Sequence, residues 1–313
     1  HDDFCNLAND VVTLCRGQSS TCCLFESVVG GEKIGRYSFI AINPFGQLSA
    51  RGSRVTIQRS GQWLETEAAN PFDRLREELK AIEVAQLEGM PPFVGGAVGY
   101  AGYDTVRYVE KLPNAPADDR ELPDLSFAFY DQMIVFDNVQ KTVTVIALAK
   151  TNRDPAAAEK SYETARLEID DIVERLRQPD PTEPCVDIDI HEELELQFES
   201  NFGEQEFALA VGKCVDYIRA GDIFQVVISQ RFQRKVDCDP LEIYRTLRVM
   251  NPSPFMFFLR TPETVLIGSS PETMCRVVGD EVTVRPLAGT RWRGKSEEED
   301  RALERELLAD PKE

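Results

Sequence analysis

The chain has 313 residues, 42% of them apolar, and its 54 acidic against 35 basic residues give a formal charge of −19. There is apolar material for the core of one large or two ordinary domains, whereas so acidic a surface repels nucleic acid and anionic lipid. No run of about 18 apolar residues and no basic-then-apolar start occur, so neither a membrane span nor a secretory leader is expected.

Eight cysteines (Cys5, Cys15, Cys22, Cys23, Cys185, Cys214, Cys238 and Cys275) form no C-x-x-C, and only His1 and His191 accompany them. Zinc sites need ligands at short spacing, so buried or half-buried free thiols in a reducing cytoplasm are the better reading. Two histidines also leave little from which to build a Ser–His–Asp or Cys–His nucleophile.

Near the amino terminus, Tyr37–Pro44 and Val55–Ile57 read as strands among turns rich in Gly, Asn and Pro. Phe72, Leu75, Leu79 and Ile82 then recur at helical spacing, with Asn70 as N-cap and Pro71 at the first helical position. Gly95–Asp104 packs four glycines into a short stretch. It matches neither phosphate-loop pattern, which favours close backbone packing over nucleotide binding. Phe127–Tyr130, Met133–Asn138 and Thr142–Ile146 read as successive strands with a turn near Asp137–Asn138.

Asp154–Pro155 opens a long helix whose inward stripe is Ala158, Tyr162, Ala165, Ile169, Ile172 and Leu176. Pro179, Pro181 and Pro184 end it, and an acidic run follows, so residues 179–200 read as a linker between regions 1–178 and 201–313. A helix from Gly203 to Ala220 carries Phe207, Val211, Cys214 or Val215, and Ile218 on one stripe, with Gly221 as C-cap. Gly221–Phe232 reads as a strand with Phe224, Val226, Ile228 and Gln230 on one face, and Gln225, Val227, Ser229 and Arg231 on the other.

Three punctuated segments complete the chain. Asn251–Met256 is a proline-stiffened stretch leading into Phe255–Phe258, whose composition is that of core. Ser270–Pro271 ends the strand from Thr264 and presents Glu272, either a carboxylate in a structural network or a general acid. Pro286 ends the strand from Val282 ahead of Ala288–Gly289–Thr290. Beyond it, Arg291, Arg293 and Lys295 form either a carboxylate-binding cluster or a solvated loop. Ser296 and Glu299 make a capping box for a last helix with Leu303, Leu307 and Leu308 inward.

Taken together, Gly221–Phe232, Asn251–Phe257, Gly268–Thr273 and Pro286–Arg291 closely resemble the chorismate-utilising enzymes, and among them the anthranilate synthase large-subunit branch. Leu24–Ser27, Gly35–Ile40 and Gly102–Asp104 extend the resemblance over nearly the whole chain. It implies an α+β fold of two large, mostly antiparallel sheets packed together with helices outside. It also implies Mg²⁺ holding the chorismate carboxylate, Glu272 as general acid for the ring hydroxyl, and Ala288, Gly289 and Thr290 beside the substrate. Ammonia from a glutamine amidotransferase subunit or fused domain is then added to the ring and pyruvate is lost.

Within the family, members that add water carry a lysine base where this chain has Gln225, an amide that cannot titrate near neutrality. Many aminodeoxychorismate synthases carry a lysine nucleophile where this chain has Ala288. Gln225 thus points to a nucleophile that needs no deprotonation, such as ammonia, and Ala288 favours anthranilate synthesis; the alternatives are aminodeoxychorismate synthesis or a non-catalytic tryptophan- or partner-binding module. By the same resemblance tryptophan, as feedback inhibitor, binds between Glu26–Ser27 and Pro254–Phe255–Met256. Phe25 and Phe255 depart from the family's leucine and tyrosine. Past Glu313 the family pattern supplies a catalytic histidine and the metal carboxylates, so no metal ligand is expected within this chain. A truncated chain, inactive alone, is expected, as is an oligomer of the complete protein.

Overall fold

The computed structural model describes residues 21–28, 35–85, 87–151, 154–177, 197–284 and 289–310. The chain divides into two compact units, one of residues 1–185 with 243–313 and the other of residues 186–242.

In the first unit the chain opens with β1 (Cys22–Glu26), β2 (Tyr37–Ala41), β3 (Gly46–Arg51), β4 (Arg54–Arg59), β5 (Gln62–Glu67) and α1 (Pro71–Lys80). After β6 (Gly96–Ala101) and a 3-10 helix at Tyr103–Tyr108 come β7 (Leu125–Tyr130), β8 (Gln132–Asp137), β9 (Thr142–Ala147) and α2 (Pro155–Arg177). The second unit holds β10 (Glu199–Ser200), α3 (Glu204–Ala220) and β11 (Phe232–Gln233). Helix α4 (Pro240–Met250) starts there and leads into β12 (Phe255–Arg260), β13 (Val265–Ser270), β14 (Arg276–Val278), β15 (Glu281–Thr283) and α5 (Glu297–Leu308).

Two antiparallel sheets dominate, in the orders β13-β12-β1-β2-β8-β9 and β5-β4-β3-β7-β6. In the first, the register aligns Leu266, Leu259, Cys23, Ala41, Met133 and Ile146 in one row across all six strands. This row packs against Ala128 and Tyr130 of the second sheet. Strand period two thus makes one apolar face from six short segments, each fully buried large side chain contributing about 1.5–3 kcal/mol. The other face of the five-stranded sheet buries Leu48, Val55, Ile57 and Leu125 together with Leu75 of α1.

The expected cap of α1 is present, and at α5 Ser296 accepts from the Glu299 N–H while the Glu299 carboxylate accepts from the Lys295 N–H. Asn70 accepts from the Phe72 N–H at 3.0 Å, and Pro71 follows at a position where no N–H is needed. The glycine cluster forms β6, not a phosphate loop. A Cβ on Gly99 would lie 2.0 Å from the Ser126 carbonyl oxygen, so only glycine lets β6 pair with β7. Asp137 accepts from the backbone N–H groups of Val139 and Gln140 at the β8–β9 turn and holds Arg36 through two bonds of 2.9 and 2.8 Å.

Other expectations differ from the structure. In α2 only Ala165 and Ile172 of the stripe are buried, and Tyr162 is exposed. Helix α3 has its Gly203 and left-handed Gly221 caps, yet Val211, Val215 and Ile218 are exposed. Of Gly221–Phe232, only Phe232 joins a ladder, with Ser200, and Phe224 and Val227 are 92% and 84% exposed. The segment has strand composition, but among the described residues it has no neighbour for most of its N–H and C=O groups. Leu308 of α5 is exposed and Cys238 and Cys275 are exposed thiols, whereas Cys22 and Cys23 are buried in β1. Residues 178–196, the body of the expected linker, lie outside the described residues.

Candidate functional site

Glu272 stands two residues past the end of β13. Pro271 removes the N–H that would continue the ladder, and the Ser270 hydroxyl donates to the Glu272 carbonyl at 3.2 Å, turning the chain out of the sheet. The residue is exposed. One step earlier, a Cβ on Gly268 would meet the Phe257 ring at 2.2 Å, so glycine allows that ring to lie across the strand bearing the carboxylate.

Gly289 and Thr290 occupy irregular chain ahead of α5, and Ala288 lies outside the described residues. The arginines beside them do not await a substrate carboxylate. Arg291 is paired with Glu306 and Asp310, both at 2.9 Å, and Arg293 with Asp300, while Asp300 also accepts from the Gly294 N–H at 2.7 Å. The basic loop thus meets acids of the helix it introduces and of that helix's end. The Gly294 N–H and the Arg293 guanidinium hold the Asp300 carboxyl below the usual carboxylate range. Gln225 belongs to the second unit and is exposed.

The segments expected to hold an effector are brought together. Strands β1 and β12 are antiparallel neighbours with Phe25 opposite Phe257 and Glu26 opposite Met256. Past the ladder, the Val28 N–H donates to the Ser253 carbonyl at 3.1 Å, so Ser27 and Pro254 lie between two fastenings. Alternation divides these residues. Phe25, Phe255 and Phe257 share the face toward the second sheet, and Glu26 and Met256 share the opposite face. On the first face an apolar cavity of ≈ 370 Å³ lies between the sheets, lined by Phe25, Phe39, Phe93, Val98 and Met133 among others.

On the opposite face the Glu26 carboxylate is buried and already engaged. The Tyr244 hydroxyl donates to its Oε1 at 2.5 Å and the Arg248 Nε at 2.7 Å, both from α4. Tyr244 is fully buried, and burial together with the adjacent carboxylate pushes its phenol far up, so it remains a donor. The sequence reading missed these two residues and placed no element between Phe232 and Asn251. Tyr244 and Arg248 are four apart on one helical face, a spacing that signals a shared partner.

Phe255 is also opposite Ser270, so β12 and β13, the strand that ends before Glu272, are immediate neighbours. Among the described residues no group of three or more His, Cys, Asp or Glu converges to hold a metal ion. No helix among them is long and apolar enough to cross a membrane.

Comparison with known proteins defines the class. The model of the chorismate binding enzyme family matches residues 20–313, and the chain belongs to that family. Within it, the chain is 41% identical to anthranilate synthase component 1 of Acetivibrio thermocellus, over 95% of this chain and 60% of that protein. It is 43% identical to anthranilate synthase component 1 of Pseudomonas aeruginosa, over 93% of this chain and 58% of that one. The crystal structure of anthranilate synthase component I from Streptococcus pneumoniae superposes with a TM-score of 0.70 at 33% identity, covering 91% of this chain and 59% of that chain. The chain spans about three-fifths of the length of these relatives.

Proposed function

We propose that this chain carries the effector-binding region and the first part of the chorismate-binding region of an anthranilate synthase large subunit. The complete protein converts chorismate and ammonia to anthranilate and pyruvate. The observation that carries this reading is the similarity, at 41–43% identity over 93–95% of the chain, to proteins named anthranilate synthase component 1. Residues 1–178 then contribute the regulatory site, 179–200 the linker and 201–313 the beginning of the catalytic region.

In this mechanism Glu272 gives its proton to the leaving ring hydroxyl. Its exposure at a strand end supports that role, since a substrate can reach it. Gln225 holds and orients without taking a proton, which suits ammonia, a nucleophile that needs no base. Ala288 offers no nucleophile, and the Gly289 and Thr290 backbone lies alongside the substrate. Mg²⁺, the family's cofactor, would hold the chorismate carboxylate when bound. By the family pattern its carboxylate ligands belong to the part of the protein that follows Glu313. A glutamine amidotransferase, separate or fused, supplies the ammonia, and the assembly is a cytoplasmic oligomer.

Tryptophan, the feedback inhibitor, binds at Glu26, Ser27, Pro254, Phe255 and Met256. The pairing of β1 with β12, which sets Glu26 opposite Met256, and the Val28 N–H on the Ser253 carbonyl support this, because they bring the two segments side by side.

The full-length polypeptide, supplied with chorismate, ammonium and Mg²⁺, is expected to develop anthranilate fluorescence. A 4-amino product would instead identify aminodeoxychorismate synthesis, and absence of turnover would overturn the enzymatic reading.

A further inference from the structure

Helix α4 is fastened at two separated places, and the two fastenings face different functional segments. In its body, Tyr244 and Arg248 both donate to one oxygen of the buried Glu26 carboxylate. Charge-assisted bonds in a desolvated setting are short and strong, and Glu26 fixes the helix to the end of β1. At its carboxy-terminal end the Asn251 carbonyl, one of the last carbonyls a helix cannot satisfy itself, accepts from the Ser269 hydroxyl at 2.5 Å.

Ser269 is three residues from Glu272, and the intervening Ser270 and Pro271 are a hydrogen-bonded residue and a stiff one. Tyr244 and Asn251 are separated by roughly 10 Å along a helical rise, which a helix spans without bending. The connecting loop is held as well, through the Val28 N–H on the Ser253 carbonyl. One hydrogen-bonded route from Glu26 therefore runs through α4 and the Asn251 carbonyl to Ser269 of the strand that ends before Glu272, beside the ladder that joins β1, β12 and β13.

We infer that α4 is a lever that couples the Glu26–Val28 segment to Glu272, with Tyr244, Arg248 and Ser269 as its positioning residues. The inference rests on the reading of Glu26–Ser27 with Pro254–Met256 as the tryptophan site. A ligand that pulls on the Glu26 carboxylate or on the backbone of Ser27–Val28 shifts α4, and the shift reaches the candidate acid through the Ser269 hydroxyl. Tryptophan then withdraws the acid from the ring hydroxyl without touching chorismate.

The test uses the full-length polypeptide and separates tryptophan binding from tryptophan inhibition. Ser269→Ala is expected to bind tryptophan within about twofold of wild type by calorimetry while its half-inhibitory concentration rises about tenfold, the size of an ordinary coupling energy. Ser269→Thr, which keeps the hydroxyl, is expected to restore sensitivity. Binding and inhibition that move together, or that both stay unchanged, overturn the lever.

A second arm needs no tryptophan. Tyr244→Phe removes only one hydroxyl near Glu26, and is expected to speed hydrogen exchange in the 268–274 peptide about fivefold, with β4 and β7 unaffected. Unchanged exchange there overturns the lever whatever tryptophan does. A wild-type protein that gives no heat with tryptophan defeats the feedback reading alone and leaves the exchange arm to decide the coupling.

Discussion

Glu272 leaves the sheet behind a proline, and that placement leaves the residue exposed two positions past the end of β13. Its position was legible because Ser270–Pro271 is a local signal that ends a strand in any context. The residues that hold Glu26 were not, because Tyr244 and Arg248 lie 218 and 222 residues along the chain, and only the pairing of β1 with β12 brings α4 over that carboxylate. The same holds for Arg291 and Arg293, which read as a cationic cluster until α5 folds back its acids. For Glu272 as acid, Glu272→Gln in the full-length polypeptide is expected to lower anthranilate formation by about 10²- to 10⁴-fold, with the circular dichroism spectrum unchanged. Steady-state fluorescence assay checks it, and a rate near wild type would remove the residue from the mechanism.

Elements with strong local punctuation, such as α1, α3 and α5, were readable from their caps, since an N-cap side chain and a left-handed glycine satisfy terminal groups wherever the helix is placed. What covers an element is not a local property. Segment 224–231 has the alternation of a strand and forms none, while Val211 and Ile218 of α3 form a helical stripe that stays exposed. The way α1 docks was likewise invisible in the sequence. Glu78, at 3% exposure, is paired with Arg74 at 2.9 Å and with Arg59 of β4, joining the helix to the five-stranded sheet. Removing a carboxylate so placed takes an ion-pair partner from Arg59 and leaves Arg74 with Glu77, and both arginines still reach water. Glu78→Ala is therefore expected to cost about 2–3 kcal/mol, at or below the ~3–5 kcal/mol of a wholly buried pair. The readout is a lower urea midpoint at unchanged m, and a midpoint within error of wild type would show that the cluster contributes little.

At the scale of the whole molecule, a charge of −19 means that acidification relieves repulsion, but individual carboxylates decide where stability peaks. Asp131, between the two sheets' strands β7 and β8, is pushed above the usual carboxylate range by burial. Glu168 on α2 is raised by burial and by Asp131 itself. A carboxylate raised in the folded state binds its proton there first, so as pH falls toward the folded value these two groups add stability. Asp137 goes the other way. The Arg36 guanidinium, with the Gln140 and Val139 N–H groups, holds it below the usual range, as the Glu121 N–H does for Asp118. Their stabilisation is present above the unfolded carboxylate value of about 4 and is lost as pH falls through the lower folded value. The melting temperature is thus expected to rise from neutral pH to about 5 and to fall below about 4. Scanning calorimetry across that range checks the shape, and Asp131→Asn with Glu168→Gln assigns it. That double variant should lose part of the rise on the acid side of neutrality while keeping the fall at lower pH. A rise of unchanged size would assign it to net charge alone and clear the two carboxylates of any part in it.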